Sequence, residues 1–258
     1  MSEPAIDTTR PSSARVWNYL LGGKDNFAID REIGEQIKQA FPQIVVVAQE
    51  QRKFLVRAVT FLAGTAGIRQ FLDIGTGLPT ANNTHEVAQR IAPESRIVYV
   101  DNDPLVLVHA RALLNSTPEG TTDYIDSDVE NPEKILTGAA RTLDFSKPIA
   151  LTMLGILGNV ADYDEARSIV RRLVDAVPSG SYLAISDGTN TSREIVEGQR
   201  IANQGGHPYH LRSPEQIAGY FEGLELVEPG VVTLPHWRPD VDPPPPPMDG
   251  YCGVARKP

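Results

Sequence analysis

Two glycines one residue apart follow a short apolar run in "FLDIGTGLPTANNTHEVAQ", Phe71 to Gln89. An acid, Asp73, stands two residues ahead of Gly75, and Thr76 separates Gly75 from Gly77. Glycine at such places lets the backbone pass close to a bound molecule. Asn83, with Glu86 three residues on, has the spacing of a helix capping box. A helix starting there offers free N–H groups and its positive dipole end to a negative group. In a dinucleotide fingerprint that group is a pyrophosphate, and a third glycine lets helix and strand pack closely. Here Thr80 takes the third glycine position, with Pro79 beside it. The loop therefore lacks part of what a dinucleotide needs.

Asp73 points to a different ligand. An acid at the carboxyl end of a strand faces the crevice where open α/β sheets bind ligands. A carboxylate beside a pyrophosphate is unfavourable; beside an ammonium, met directly or through water, it is favourable. S-adenosylmethionine carries such an ammonium, together with a carboxylate and a positive sulfonium. The next apolar run ends "VYVDNDP", which places Asp101 26 residues after Gly75, with Asn102 next to it. A carboxylate there can accept both hydrogen bonds of a ribose diol, which NAD and S-adenosylmethionine share. Asp103 followed by Pro104 reads as a helix cap with proline at the first helical position. A third run ends "YIDSDVENP", where Asp126 or, by preference, Asp128 could meet an adenine amino group and Val129 could pack on the ring. Asn131 suits the cap of the following helix.

Composition narrows the classes of partner. The chain of 258 residues is 41% hydrophobic and 22% charged, which suits a globular protein with a full core. Its net charge of −9, with no basic stripe, argues against a nucleic-acid partner. Cys252 is the only cysteine, so no intramolecular disulfide is possible and a cytoplasmic location is expected. "MSEPAIDTTRPSS" lacks the apolar core of a signal peptide, and no run approaches membrane-spanning length, so no membrane partner is expected. Monomer and homodimer both remain open.

The elements that must position these residues fall into two textures. Residues 1–12 read as a disordered N-terminus. Residues 13–66 read as helical: a short helix ended by Gly22 and Gly23, a second with Ile29, Ile33, Ile37 and Phe41 at i, i+4 spacing, and a third through "QEQRKFLVRAVTFLAG" with Gly64 as its cap. Residues 67–258 alternate short apolar strands ("QFLDI", "RIVYV", "TDYI", "PIALTML", "SYLAIS") with helices, the pattern of parallel βαβ units in an α/β sandwich. "LELVEPGVVTL" and "GYCGVA" read as an antiparallel hairpin at the sheet edge, joined through the exposed Pro243–Pro247 run.

With these elements in place, "LDIGTG", "YVDNDP" and "DSDV" at their spacings resemble the class I S-adenosylmethionine-dependent methyltransferases. More narrowly, "ARVWNYLLGGKDNFAIDRE", "GLPTANNTHEVAQ", "VDNDPLVLVHARALL" and "LELVEPGVVTLPHWRPD" resemble a bacterial S-adenosyl methyltransferase family over residues 11–258. The resemblance implies an α/β, Rossmann-like, mostly parallel sheet with an antiparallel edge hairpin and a helical N-terminal cover. It implies S-adenosyl-L-methionine as cofactor, with Asp73, Gly75, Thr76 and Gly77 around its methionine part. Asp101 and Asn102 would lie at the ribose, Asp128 and Val129 at the adenine, and Leu154 at the end of the fourth strand. Arg15, Tyr19, Gly23 and Lys24 would come near the site from the cover. Relatives commonly carry a histidine after the fourth strand, where this chain reads "LGILGNVAD", and another after the fifth, where it has Asp187.

Methyl transfer from a sulfonium is an in-line displacement with a good leaving group, so positioning and desolvation can supply much of the catalysis. A base is needed only where the acceptor is protonated; the candidates are Tyr19, His85, Asp187 and His207. His207 and His210, three apart in a loop with no further cysteine and no obvious third ligand, make only a weak zinc signal, and no metal is expected. The function read here is methyl transfer to a small-molecule acceptor such as a specialised metabolite. The alternatives are a non-methylating reaction of the same cofactor, such as a cyclisation, and a non-catalytic cofactor-binding protein. A nicotinamide oxidoreductase is disfavoured by Asp73 and Thr80.

Overall fold

The computed structural model describes residues 6–113, 116–205 and 208–258. Five parallel strands, β1 (Gln70–Ile74), β2 (Arg96–Asp101), β3 (Thr121–Asp126), β4 (Ala150–Leu154) and β5 (Tyr182–Gly188), form most of one sheet. Three further strands are β6 (Glu225–Leu226), β7 (Val232–Thr233) and β8 (Gly250–Arg256). The order is β3-β2-β1-β4-β5-β8-β6, with β7 also on β8. β8 runs antiparallel to its neighbours.

The tail forms the expected antiparallel edge, with one difference in detail. β8 lies inside the sheet, between β5 and the two short strands, with Cys252, Val254 and Ala255 fully buried. "LELVEPGVVTL" does not form one strand; it pairs with β8 at its two ends, Val227 still donates its N–H to the Val254 carbonyl at 2.8 Å, and residues 228–231 are off the ladder. Pro229 has no N–H to give to a ladder, which accounts for the break.

The strands are buried on both faces. All five residues of β1 are buried, and they alternate between two cores. Leu72 and Ile74 pack with Val98, Leu151 and Met153 under α6 (Pro132–Ala139) and α7 (Tyr163–Ala176). Phe71 joins Ile97, Phe54 and Val59 on the opposite face, under α3 (Ile44–Thr60) and α4 (Thr84–Ile91). Trp237 is a core residue, edge-on to Phe54 at 5.5 Å. The remaining helices of the sandwich are α5 (Pro104–Leu113), α8 (Arg193–Ala202) and α9 (Pro214–Gly219).

At the N-terminus, α1 (Ser13–Leu20) and α2 (Ala28–Ala40) precede α3. Gly22, at φ 79°, follows α1 as expected. α3 begins five residues earlier than "QEQRKF" and passes at its end into a π-turn over Phe61–Thr65. Gly64 lies inside that turn and is not a cap; the left-handed residue is Gly67, at φ 70°. Val16, Leu20, Ile37 and Ala48 form a small core among the three helices. Arg15 and Asp30 make a buried ion pair at 2.9 Å. Asp30 also accepts the N–H groups of Ser12 and Phe27, which makes it the joint between α1 and α2. Residues 6–12, read from sequence as disordered, run along this face, and Ile6 packs with Leu78, Leu105 and Val106.

Candidate active site

The strand order reverses between β1 and β4, so the loops leaving their carboxyl ends diverge and open a crevice. A cavity of about 720 Å³ lies there, lined by the segments after β1 to β5, by α1 to α3 and by residues 6–13. It is the size of a cofactor or drug-like ligand site.

Gly75 and Gly77 both adopt positive φ, 77° and 67°. A Cβ on Gly75 would lie 2.6 Å from Ile156, whereas nothing lies within 4 Å of the Cβ position of Gly77. Gly77 donates its N–H to Asp101 Oδ2 at 2.7 Å. Asp101 Oδ1 accepts the N–H groups of Asn102 and Asp103, at 2.9 and 3.0 Å. Burial pushes the Asp101 carboxyl up to about 6 despite these donors. Asp103 caps α5, accepting the Leu105 N–H at 2.8 Å, as its sequence context predicts.

Asp73 is buried on β1, with Thr152 beside it on β4. Thr152 Oγ1 donates to Oδ1 at 2.9 Å and Thr84 Oγ1 to Oδ2 at 2.6 Å, which ties β4 and the first turn of α4 to β1. Burial raises the Asp73 carboxyl, and the two hydroxyls offset part of that rise. Arg52 of α3 lies close enough for its charge to act on Asp73, and it lines the same cavity. Its Nη2 donates to the carbonyls of Ala81 and Asn82. At α4, Glu86 accepts the Asn83 N–H at 2.9 Å, while Asn83 Oδ1 accepts the Thr80 N–H.

Along the rim, Asn102 Nδ2 donates to Asp128 Oδ2 at 2.6 Å and so links the loops after β2 and β3. Asp128 and Val129 line the cavity; Asp126 does not. At the other end, Leu154 lines it, and so does Asp187 at the end of β5. Tyr209 donates its hydroxyl to Asp187 Oδ1, and Oδ2 has no hydrogen-bond partner. Burial pushes the Asp187 carboxyl up to about 7, against the pull of Tyr209 and Arg212. The Gly158 amide exerts a small pull as well, without hydrogen-bond geometry.

The structure thus gathers Arg15, Asp73, Gly75, Thr76, Gly77, Asp101, Asn102, Asp128, Val129, Leu154 and Asp187 around one cavity. It does not bring Tyr19, Gly23, Lys24 or His85 there. Tyr19 lies under Lys38, whose ammonium is 4.8 Å from its ring, and hydrogen-bonds Glu35. Gly23 packs against the Asn18 side chain at the end of α1, and Lys24 is exposed. His85 is buried behind β2, where Tyr99 Oη contacts both its N–H and its Nδ1 at 2.8 Å, and burial lowers its basicity. His207 lies outside the described residues. Sequence reasoning missed Arg52, which has no motif around it, and Tyr209, which stands between the two histidines that drew attention in "GGHPYH".

Residues 1–258 match the S-adenosyl methyltransferase family. A solved DUF574 family protein of Streptomyces avermitilis is 46% identical, covers 98% of this chain and 100% of its own, and superposes with a TM-score of 0.94. A second solved structure, from Thermobifida fusca, is 42% identical over 98% of this chain and 97% of its own, with a TM-score of 0.89. The N-methyltransferase NodS of Bradyrhizobium japonicum, solved with S-adenosyl-L-homocysteine, shares the fold at 15% identity and a TM-score of 0.51, over 95% of this chain and 99% of its own. No curated protein matches the chain. The chain belongs to the S-adenosyl methyltransferase family and is an S-adenosylmethionine-dependent methyltransferase.

Proposed function

We propose that the β1–β3 end of the cavity binds S-adenosylmethionine and that the β4–β5 end takes a small-molecule acceptor, such as a specialised metabolite. The observation that carries this reading is the pairing of opposite charges at the first loop. Asp73 and Arg52 line the same space and act on each other electrostatically. An amino-acid tail needs both signs, a carboxylate for its ammonium and a guanidinium for its carboxylate. The chain fits the cofactor elsewhere too: the Cβ position of Gly77 is clear, and Asp101 stands as an acceptor beside it.

When bound, S-adenosylmethionine supplies a methyl group on a positively charged sulfur. The chain orients and encloses the reactants. Asp101 is held by three backbone N–H groups, so its oxygens are fixed before a ribose diol arrives. Asn102 and Asp128 brace each other at the adenine end. Residues 13–66 act as a cover, supported by the lining that α1, α2 and α3 contribute, and the cover excludes water from the reacting groups. The enzyme works in the cytoplasm, in keeping with its single buried thiol. Among the described residues no helix is long and apolar enough to cross a membrane.

Calorimetry with S-adenosylmethionine, S-adenosylhomocysteine and NADH tests the cofactor site. Micromolar binding of NADH with no binding of either sulfur compound would refute it. Mass spectrometry of reactions with candidate metabolites tests the acceptor class, and a product gaining one methyl supports it. Conversion of a metabolite with no gain in mass would replace methyl transfer by another reaction of the same cofactor.

A further inference from the structure

We propose that Asp187, seated by Tyr209, forms a subsite for the amine group of an apolar acceptor molecule. This rests on the reading of the β4–β5 end as the acceptor side. Asp187 Oδ1 is occupied by the Tyr209 hydroxyl, while Oδ2 is buried with no partner in hydrogen-bond geometry. A carboxylate oxygen left without a partner inside a protein is costly, and such groups are kept where a bound molecule supplies the partner. The nearest cation does not supply it: Arg212 spends Nη2 on the carbonyls of Val160 and Ala161.

The seat for this carboxyl is built. The Tyr209 ring lies over Gly158, where any Cβ would come within 2.3 Å of it. Asn203 holds the Tyr209 backbone from both sides, accepting its N–H at 2.9 Å and donating to its carbonyl at 3.2 Å. His210 donates its N–H to the Gly158 carbonyl at 2.6 Å. Leu211 and Ile195 lie at Gly188, the next residue along β5, and Phe41 and Leu55 add apolar lining to the same cavity. Among the described residues no lysine lines the cavity; of its three arginines, Arg10 acts on Asp7, Arg15 is paired with Asp30 and Arg52 acts on Asp73. A donor-bearing, positively charged head on an apolar body complements this end, whereas a carboxylate or phosphate meets a like charge that Arg212 offsets only in part.

The test uses the full chain saturated with S-adenosylhomocysteine and titrated calorimetrically with phenethylamine, phenethyl alcohol and hydrocinnamate. These probes share one apolar body. The amine should bind about tenfold or more tighter than the other two, the scale of one charge-assisted hydrogen bond. Asp187→Asn should bring the three within about twofold of one another and leave the S-adenosylhomocysteine affinity unchanged. Equal affinities for the three probes in the wild type, or an amine preference that survives Asp187→Asn, overturns the proposal. A crystal structure of the wild-type complex tests it without any variant: the amine nitrogen should sit within hydrogen-bonding distance of Asp187 Oδ2, and a nitrogen elsewhere overturns it. Failure of S-adenosylhomocysteine to bind the wild type is seen first in the same titration and overturns the cofactor reading instead.

Discussion

Gly77 and Asp101 are joined by a 2.7 Å hydrogen bond from backbone N–H to carboxylate, which fastens the glycine loop after β1 to the end of β2. Removing the carboxylate therefore does two things at once. Asp101→Ala should weaken S-adenosylhomocysteine binding about 10- to 100-fold, since it deletes a charged acceptor. It should also loosen the loop, because three backbone N–H groups lose their partner. Calorimetry reads the first effect, and thermal denaturation without ligand reads the second. Unchanged affinity would take Asp101 out of the ribose role.

The same carboxyl sets a pH dependence. Burial holds Asp101 at about 6, above the ordinary carboxylate value of 3.8. Its charged form is the better acceptor for a diol. S-adenosylhomocysteine affinity should therefore be full above pH 7 and fall as the pH drops through about 6. Asp101→Asn should flatten that step. A wild-type affinity that stays level from pH 8 to about 5 would count against this role.

Arg52 and Asp73 address the amino-acid tail alone. Arg52→Met and Asp73→Asn should each weaken S-adenosylhomocysteine binding on the order of tenfold. Adenosine lacks that tail, so its affinity should change by less than about twofold in Arg52→Met. Equal losses for both ligands would mean that the substitution disturbs the loop rather than a contact to the tail.

Asp187 should lower stability at neutral pH. Its folded carboxyl is raised to about 7 from 3.8, so the folded state holds the proton longer than the unfolded chain does. Stability is then lost progressively as pH rises from about 4 to about 7, and is level above that. Tyr209, Tyr220 and Arg212 act on this carboxyl; Tyr209 and Tyr220 are both raised above the ordinary phenol value and stay protonated over this range. Asp187→Asn cannot ionise, so it should be more stable than the wild type at pH 8 by on the order of 4 kcal/mol, with the two curves converging near pH 4. Parallel melting curves across this range would contradict the raised carboxyl.

Gly158→Ala tests the seat of Tyr209. The new methyl would meet the ring at 2.3 Å, so the ring must move off Asp187. Overpacking of this kind costs about 1–3 kcal/mol. The melting temperature should fall while S-adenosylhomocysteine affinity holds, because Gly158 itself does not line the cavity. A variant as stable as the wild type would show that Tyr209 has room to yield.

The amino-acid sequence by itself determined the β1 loop and the strand ends. Gly75 and Gly77 needed positive φ, Asp103 capped its helix, and Asp101 and Asp128 came to the crevice. These are local consequences of backbone sterics, capping and strand direction, and they need only a few neighbouring residues. A local signal misled at Gly64, where packing carried α3 on into a π-turn, and residue type misled at the candidate bases Tyr19 and His85, whose partners are Lys38 and Tyr99. The family pattern hinted at Gly158 and Asp187 as departures but offered no reason for them. Only the tertiary structure decided that reason. It set Tyr209 over one glycine to reach the acid 22 residues before it, and it brought Arg52 from a helix preceding the sheet to Asp73. Such contacts depend on which elements the hydrophobic cores press together, and no periodicity in the chain records that.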